Sequence, residues 1–291
     1  MKNPKNIPQF FIVGAPKSGT TALYEYLKQH PQVQLAPKEI HFFGKDLGII
    51  QDPLTAEQYL SYFDDQKING DVSVWYLYAS EAAKEIYRWN PEAKIIILLR
   101  SPKTMLPSLY LEHLKNGDEN INDFNKALLN DKPHSTVNFK NRPAYFDAVS
   151  YYDQVKRYLE LFGKEKVKII LYEHWQNDNF KVLKSLADWL QLTPFTFTAL
   201  SKVNEKKQIK NVALQQALKQ KPNFLKHFFR TVVPIKKWRH QIMQKALDFN
   251  KSDEIGFSIS NSIEEKLTTI TKIQAKKINQ LTGIDCSIWL S

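Results

Sequence analysis

The 291-residue chain has a single cysteine, Cys286, which excludes an intramolecular disulfide framework and any zinc site built from several cysteines. No apolar stretch approaches the roughly 20 residues that a bilayer-spanning helix needs. Met1-Lys2-Asn3-Pro4-Lys5-Asn6 passes directly into an apolar segment, without the layout of a signal peptide. These absences lead to the expectation of a cytoplasmic protein without a transmembrane segment. A Pro/Gly/Ser-rich linker, an internal repeat and a low-complexity tract are also missing, so nothing marks a domain boundary. With 43% hydrophobic and 12% aromatic residues the chain has material for one large core, and a single domain over residues 1–291 is expected. Acidic side chains are outnumbered, 30 Asp and Glu against 41 Lys and Arg, for a net charge of +11. The lysines are scattered apart from 202–210 and 219–237. That distribution fits a basic surface or the attraction of an anionic ligand, and no nucleic-acid partner is expected.

What the chain does have is a strong alternation of strand and helix signals. The pattern predicts strands over 9–14, 33–35, 94–100 and 167–171, the third being an uninterrupted apolar run suited to a strand buried on both faces. Helices are predicted over 20–30, 59–63, 80–90, 104–115, 151–162, 180–190 and 263–281. The last carries Ile263, Leu267, Ile270, Ile273 and Ile278 on one side, and Gly70-Asp71-Val72-Ser73 reads as a loop. The implied fold is α/β and P-loop-like, with a doubly wound central parallel sheet flanked by helices on both faces. Ligands of such sheets bind at the strand C-termini.

The first chemical signal is Phe10-Phe11-Ile12-Val13-Gly14 running into Ala15-Pro16-Lys17-Ser18-Gly19-Thr20-Thr21 and then a helix. A strand, a tight loop with one Lys and a hydroxyl-rich helix start form a phosphate cradle, because N–H groups and the helix dipole face the anion. A Walker A loop places its Lys after the second Gly. Here Lys17 precedes Gly19, which argues against the ATPase version. Read alone, Gly19-Thr20-Thr21 is also compatible with a plain strand-to-helix turn capped by a hydroxyl.

The second signal is Arg100-Ser101-Pro102 followed by Ser108 and Tyr110. A buried strand ends in a guanidinium, and the next helix offers a hydroxyl two turns on, which suits a second phosphate. Nucleotide enzymes of the magnesium-dependent P-loop type usually carry an Asp at such a strand end. The third is Lys38-Glu39-Ile40-His41-Phe42-Phe43, where a carboxylate or an imidazole could act as a base. The fourth is Gly70-Asp71-Val72-Ser73-Val74-Trp75-Tyr76, whose aromatic residues are either core or a wall for substrate.

These motifs, in this order, resemble those of sulfotransferases that use 3′-phosphoadenosine 5′-phosphosulfate (PAPS), in particular bacterial and heparan sulfate sulfotransferase-like members. The resemblance implies that Lys17, Ser18, Gly19, Thr20 and Thr21 hold the 5′-phosphosulfate, that Arg100 and Ser108 hold the 3′-phosphate, and that PAP is the product. It implies Glu39 as general base and Lys17 as the cation on the leaving phosphate. His41 is the competing base or an orienting neighbour. The reaction implied is metal-free sulfuryl transfer to a hydroxyl or amine, on a glycan or small hydroxyl compound. Met105 stands where the family's second Arg often sits, and Pro107 precedes Ser108. Asp71 and Val72 replace a frequent Glu and Lys, so the role of Asp71 is open and the case for a heparan-like acceptor is weaker. A basic tripeptide that closes the nucleotide site in relatives is missing, leaving Lys207 and Lys210 as its candidates and 201–238 as a substrate-side flap. Two rival readings stand beside this one: a P-loop-type small-molecule kinase, and a non-catalytic PAP- or polyanion-binding protein.

Overall fold

A computed structural model describes residues 6–49, 52–131, 144–200, 208–209, 251–252 and 258–291. In chain order it contains β1 (Phe10–Gly14), α1 (Thr20–Leu27), β2 (Val33–Leu35), α2 (Ala56–Leu60), β3 (Ile68–Val72), α3 (Ala82–Trp89) and β4 (Lys94–Leu99). Then come α4 (Pro102–Asn116), α5 (Phe124–Leu129), α6 (Tyr145–Ala148), α7 (Tyr151–Phe162), β5 (Val167–Leu171), α8 (Tyr172–Asn177) and α9 (Asn179–Leu190). Two short antiparallel strands, β6 (Gln208–Ile209) and β7 (Lys251–Ser252), precede the long helix α10 (Asn261–Thr282).

Strands β1 to β5 form one sheet in the order β2-β3-β1-β4-β5, with every pairing parallel. Alternate side chains of each strand face opposite sides, which divides the core in two. Phe10, Ile12, Ile96 and Leu98 pack under Leu23 and Leu27 of α1, Trp175 of α8 and Leu183, Leu186 and Leu190 of α9. Phe11, Val13, Ile95, Ile97 and Leu99 pack under α4, α7 and α10 through Leu106, Leu109, Val155, Tyr158, Ile263 and Leu267. The doubly wound reading therefore holds. Among the described residues no helix is long and apolar enough to cross a membrane.

Four local expectations need correction, the first being the helix read over 59–63, which runs over Ala56–Leu60 and is capped by Thr55. Residues 70–72, read as loop, belong to β3, which lies between β2 and β1. Its Asn69, Gly70 and Asp71 mask the apolar signature of a buried strand. The α10 stripe is Ile263, Leu267, Thr271, Gln274, Ala275 and Ile278, whereas Ile273 is exposed, because its helical phase points away from α4 and α7. Helix α4 begins two residues earlier than expected, with Pro102 in its first turn, where the absent N–H has no intrahelical partner to lose. It runs on through Pro107 and ends at Gly117, which adopts the left-handed conformation at φ 80°.

Gly70 of β3 lies opposite Phe10 of β1, and a Cβ at residue 70 would stand within 2.7 Å of three atoms of the Phe10 ring. That ring is fully buried and has nowhere to go. Gly70→Ala is expected to lower stability by about 1–3 kcal/mol, the usual penalty of overpacking, as read from the midpoint of chemical denaturation. A midpoint equal to wild type would show that the β1–β3 contact is not close-packed.

Candidate active site

In a sheet of this order the chain leaves β1 towards one edge and β4 towards the other, so a crevice opens above their adjacent C-terminal ends. The loop Ala15–Gly19 follows β1, and Arg100 follows β4. Gly19 caps α1 at φ 85° with no side-chain hydrogen bond, so the first N–H groups of the helix are free of a capping side chain and available to an anion. A Cβ at residue 19 would press on the Trp175 indole at 3.0 Å, so glycine serves there both conformation and close approach. Arg100 is nearly buried. Its Nη1 donates to the Lys17 carbonyl at 2.9 Å, its Nε donates to Thr104 Oγ1 at 3.0 Å, and its guanidinium stacks 4.5 Å over the Tyr172 ring. Burial lowers the Arg100 pKa against the opposing influence of Tyr172, Glu173 and Tyr151, but a guanidinium remains charged. The two loops are thus tied together by the side chain expected to face a phosphate.

A cavity of about 650 Å³ occupies the crevice. Lys17, Gly19, Thr20, Thr21, Glu39, His41, Arg100 and Ser108 all line it, so one space collects most of the residues singled out in the sequence. Ser18 is buried behind the loop, its Oγ directed to the Pro16 carbonyl at 3.4 Å. Lys207 and Lys210 lie outside the described residues, as does the 201–238 segment apart from β6. Met105, at the position of the family's second Arg, is fully buried in the core under the sheet. That departure therefore removes no charge from the cavity wall.

Glu39 reaches the cavity from the segment after β2. Its N–H donates to the Val72 carbonyl at 2.8 Å, and its Oε2 accepts from the Val74 N–H at 3.1 Å. His41 Nε2 stands 3.1 Å from the same Oε2, and Lys38 Nζ pairs with Oε1. Burial pushes the Glu39 carboxyl up, but the His41 hydrogen bond and the Lys38 and His41 charges outweigh it and hold the pKa below its ordinary value. Both Glu39 and His41 sit in left-handed backbone, at φ 62° and 48°. Such conformations cost on the order of 1–3 kcal/mol each and persist only where the surroundings enforce them.

The cavity also holds residues that the sequence reading did not single out as site groups. Glu112 Oε1 lies 3.3 Å from Lys17 Nζ, bridging α4 to the loop after β1. Ser108 and Glu112 are one turn apart on α4, so helical spacing from Ser108 was a usable signal. Tyr172 and Trp175 of α8 line the cavity on the other side, and no local pattern announced them. Trp75 is a wall of the cavity, whereas Tyr76 is fully buried core. At the C-terminal end, Trp289 packs as expected, its Nε1 donating to Glu173 Oε2 at 2.8 Å, while Glu173 Oε1 accepts from the Ser101 N–H at 3.0 Å. Cys286 is buried, which pushes its thiol up to about 12 and leaves it unreactive.

Comparison with known proteins places these observations in a family. Residues 7–255 match the sulfotransferase domain. Among curated proteins, the chain is 28% identical over 207 residues to a bifunctional heparan sulfate N-deacetylase/N-sulfotransferase 1 of Caenorhabditis briggsae, covering 66% of this chain and 24% of that protein. It is 27% identical over 192 residues to mouse heparan sulfate glucosamine 3-O-sulfotransferase 5, covering 65% of this chain and 55% of that one. The chain thus matches between about a quarter and just over half the length of these relatives. The crystal structure of a sulfotransferase from Alicyclobacillus acidocaldarius shares the fold, with a TM-score of 0.67 over 98% of this chain and 99% of that one at 24% identity. With the family match running through β1, the loop after it, β4 and the Arg100 segment alike, this chain belongs to the sulfotransferase-domain family.

Proposed function

We propose that the protein transfers a sulfuryl group from PAPS to a hydroxyl or amine of a carbohydrate or small metabolite. The observation that carries this reading is the hydrogen bond from Arg100 to the Lys17 carbonyl, which joins two anion-binding elements at one cavity that also holds Glu39. The donor set fits a nucleotide with phosphates at both ends of its ribose. Lys17, Gly19, Thr20, Thr21 and the start of α1 suit the phosphosulfate, with Ser18 shaping the loop from behind, and Arg100 with Ser108 suits the 3′-phosphate.

PAPS supplies an activated sulfuryl group whose departure leaves negative charge on a phosphate oxygen. Lys17 and the N–H groups at the start of α1 offset that charge. Glu39 takes the proton that the acceptor hydroxyl loses as its oxygen bonds to sulfur and the sulfur–oxygen bond to phosphate breaks. Its low pKa keeps it ionised and ready to accept at neutral pH. His41, hydrogen-bonded to Glu39 Oε2, orients the base, while the Val74 N–H fixes the same oxygen from the protein side. Lys17 is held by Glu112 in the free protein, so donor binding exchanges that half-exposed ion pair for the phosphosulfate. An exposed pair of this kind is worth only about 0–1 kcal/mol and opposes the exchange weakly.

Two measurements test the reading. Calorimetry without metal is expected to show micromolar PAP binding that Mg-ATP does not match. Arg100→Ala should weaken it roughly 10- to 100-fold, the scale of a lost charged hydrogen bond. Arg100→Lys should not restore it, because an ammonium lacks the planar fork. A folded wild-type protein that ignores PAP and binds Mg-ATP would sink the assignment in favour of a kinase. With labelled PAPS and a panel of glycan and small hydroxyl acceptors, Glu39→Gln is expected to cut transfer by roughly 10²–10⁴ while PAP affinity stays within about two-fold. Glu39→Gln turnover equal to wild type would remove Glu39 as the base.

A further inference from the structure

Behind the cavity wall lies a carboxylate that the proposed chemistry does not use. Asp71 of β3 is fully buried, as are Ser73, Tyr59 and Tyr76 around it. Its Oδ2 accepts from Tyr59 Oη at 2.7 Å and from Tyr76 Oη at 3.0 Å, and its Oδ1 accepts from Ser73 Oγ at 2.9 Å. Two of these hydroxyls have a second task. Ser73 Oγ accepts the backbone N–H of His41 at 3.2 Å, and Tyr76 Oη accepts that of Phe43, also at 3.2 Å.

The direction of the protons makes the cluster a unit. An ionised carboxylate is acceptor-only, and each hydroxyl has one proton to give. Asp71 therefore draws all three protons inward and turns the lone pairs of Ser73 and Tyr76 outward, towards the backbone of 41–43. That backbone needs the help, since Glu39 and His41 both hold left-handed conformations that side chains disfavour. The alternative, a carboxylate retained only to fill space, would not match hydroxyl donors and backbone donors so completely.

We propose that Asp71 is a positioning residue whose carboxylate, acting through Ser73 and Tyr76, pins the backbone of His41 and Phe43 and so fixes Glu39 at the cavity. The functional consequence rests on the reading of Glu39 as base; the pinning itself does not. Burial raises the Asp71 pKa to about 6, so the carboxylate is ionised at pH 7.5.

Residue-resolved amide hydrogen exchange of the free protein at pH 7.5 tests the pinning. Asp71→Asn brings amide protons into a site already filled with hydroxyl protons and forces at least one outward. The variant is expected to speed exchange of the His41 amide, the Phe43 amide or both at least about ten-fold, with β1 and β4 amides unchanged. Ser73→Ala should release His41 alone, Ser73→Thr should restore it, and Tyr76→Phe should release Phe43 alone. A carbon-13 titration of the Glu39 carboxyl should move upward in Asp71→Asn, as its hydrogen bond with His41 loosens. Wild-type exchange at both amides, equal acceleration in β1 and β4, or an unmoved Glu39 titration would each overturn the proposal. PAP calorimetry on the same samples separates the two readings. Wild-type affinity in Asp71→Asn is expected, whereas a wild-type protein that binds no PAP overturns the sulfotransferase reading and leaves the exchange result standing.

Discussion

The parallel pairing of β1 and β4 is the constraint on which the site depends. The register places Gly14 of β1 beside Ile97 of β4, and both strands are buried on two faces. Because the chain leaves these neighbours in opposite directions, the loop after β1 and the residue after β4 share one crevice. Arg100 closes the arrangement by reaching back to the Lys17 carbonyl. Tyr151 holds Arg100 in turn, donating to its carbonyl at 2.9 Å from the start of α7. Two segments far apart in sequence, those proposed to hold the phosphates, are thus brought together by strand pairing first and by two hydrogen bonds second.

The elements that were legible in the sequence are those whose signal is local. The apolar run of β4, the order of Lys17 and Gly19, and the guanidinium at a strand end each carry their meaning within a few residues. Strand β3 was not legible, for a physical reason. Gly70 stands where the Phe10 ring needs room, and Asp71 stands where hydroxyls from α2 and the turn after β3 converge, so a buried strand reads as a polar turn. The same holds for α8, whose Tyr172 and Trp175 follow β5 without a break and meet the cavity only through the fold. The meeting of Glu112 with Lys17 lies between. Its helical phase could be counted from Ser108, but its ion pair crosses from α4 to another loop.

Two carboxylates near the 39–43 segment are driven in opposite directions by their surroundings. Glu39 gains the His41 imidazole and the Lys38 ammonium, which together overcome its burial. Asp71 receives only neutral hydroxyls at hydrogen-bond distance, and burial wins. The sign of the consequence differs accordingly. A depressed Glu39 adds stability that is present above its unfolded pKa and lost as pH falls through its folded one. A raised Asp71 opposes folding once it ionises, so its share of stability falls as pH rises from its unfolded value towards about 6. The fold therefore accepts a stability penalty at neutral pH for a charge that only the local order of the segment needs. Such a trade belongs to a site whose geometry matters more than its contribution to folding.

Charge bookkeeping then sharpens how the cavity binds an anion. Among the described residues, the charged side chains lining it are Lys17, Lys38 and Arg100 against Glu39, Glu112 and Asp118, three of each sign. This described part of the lining is balanced, and it offers an anion no excess positive potential of its own. What this lining offers the proposed nucleotide is direction: N–H groups at the uncapped start of α1, a guanidinium locked by Thr104, Tyr172 and the Lys17 carbonyl, and the Lys17 ammonium paired with Glu112. Directed donors discriminate one phosphate arrangement from another, whereas a diffuse positive field would draw in any polyanion. The order of a few residues around Lys17 and Arg100 thus carries the proposed ligand assignment.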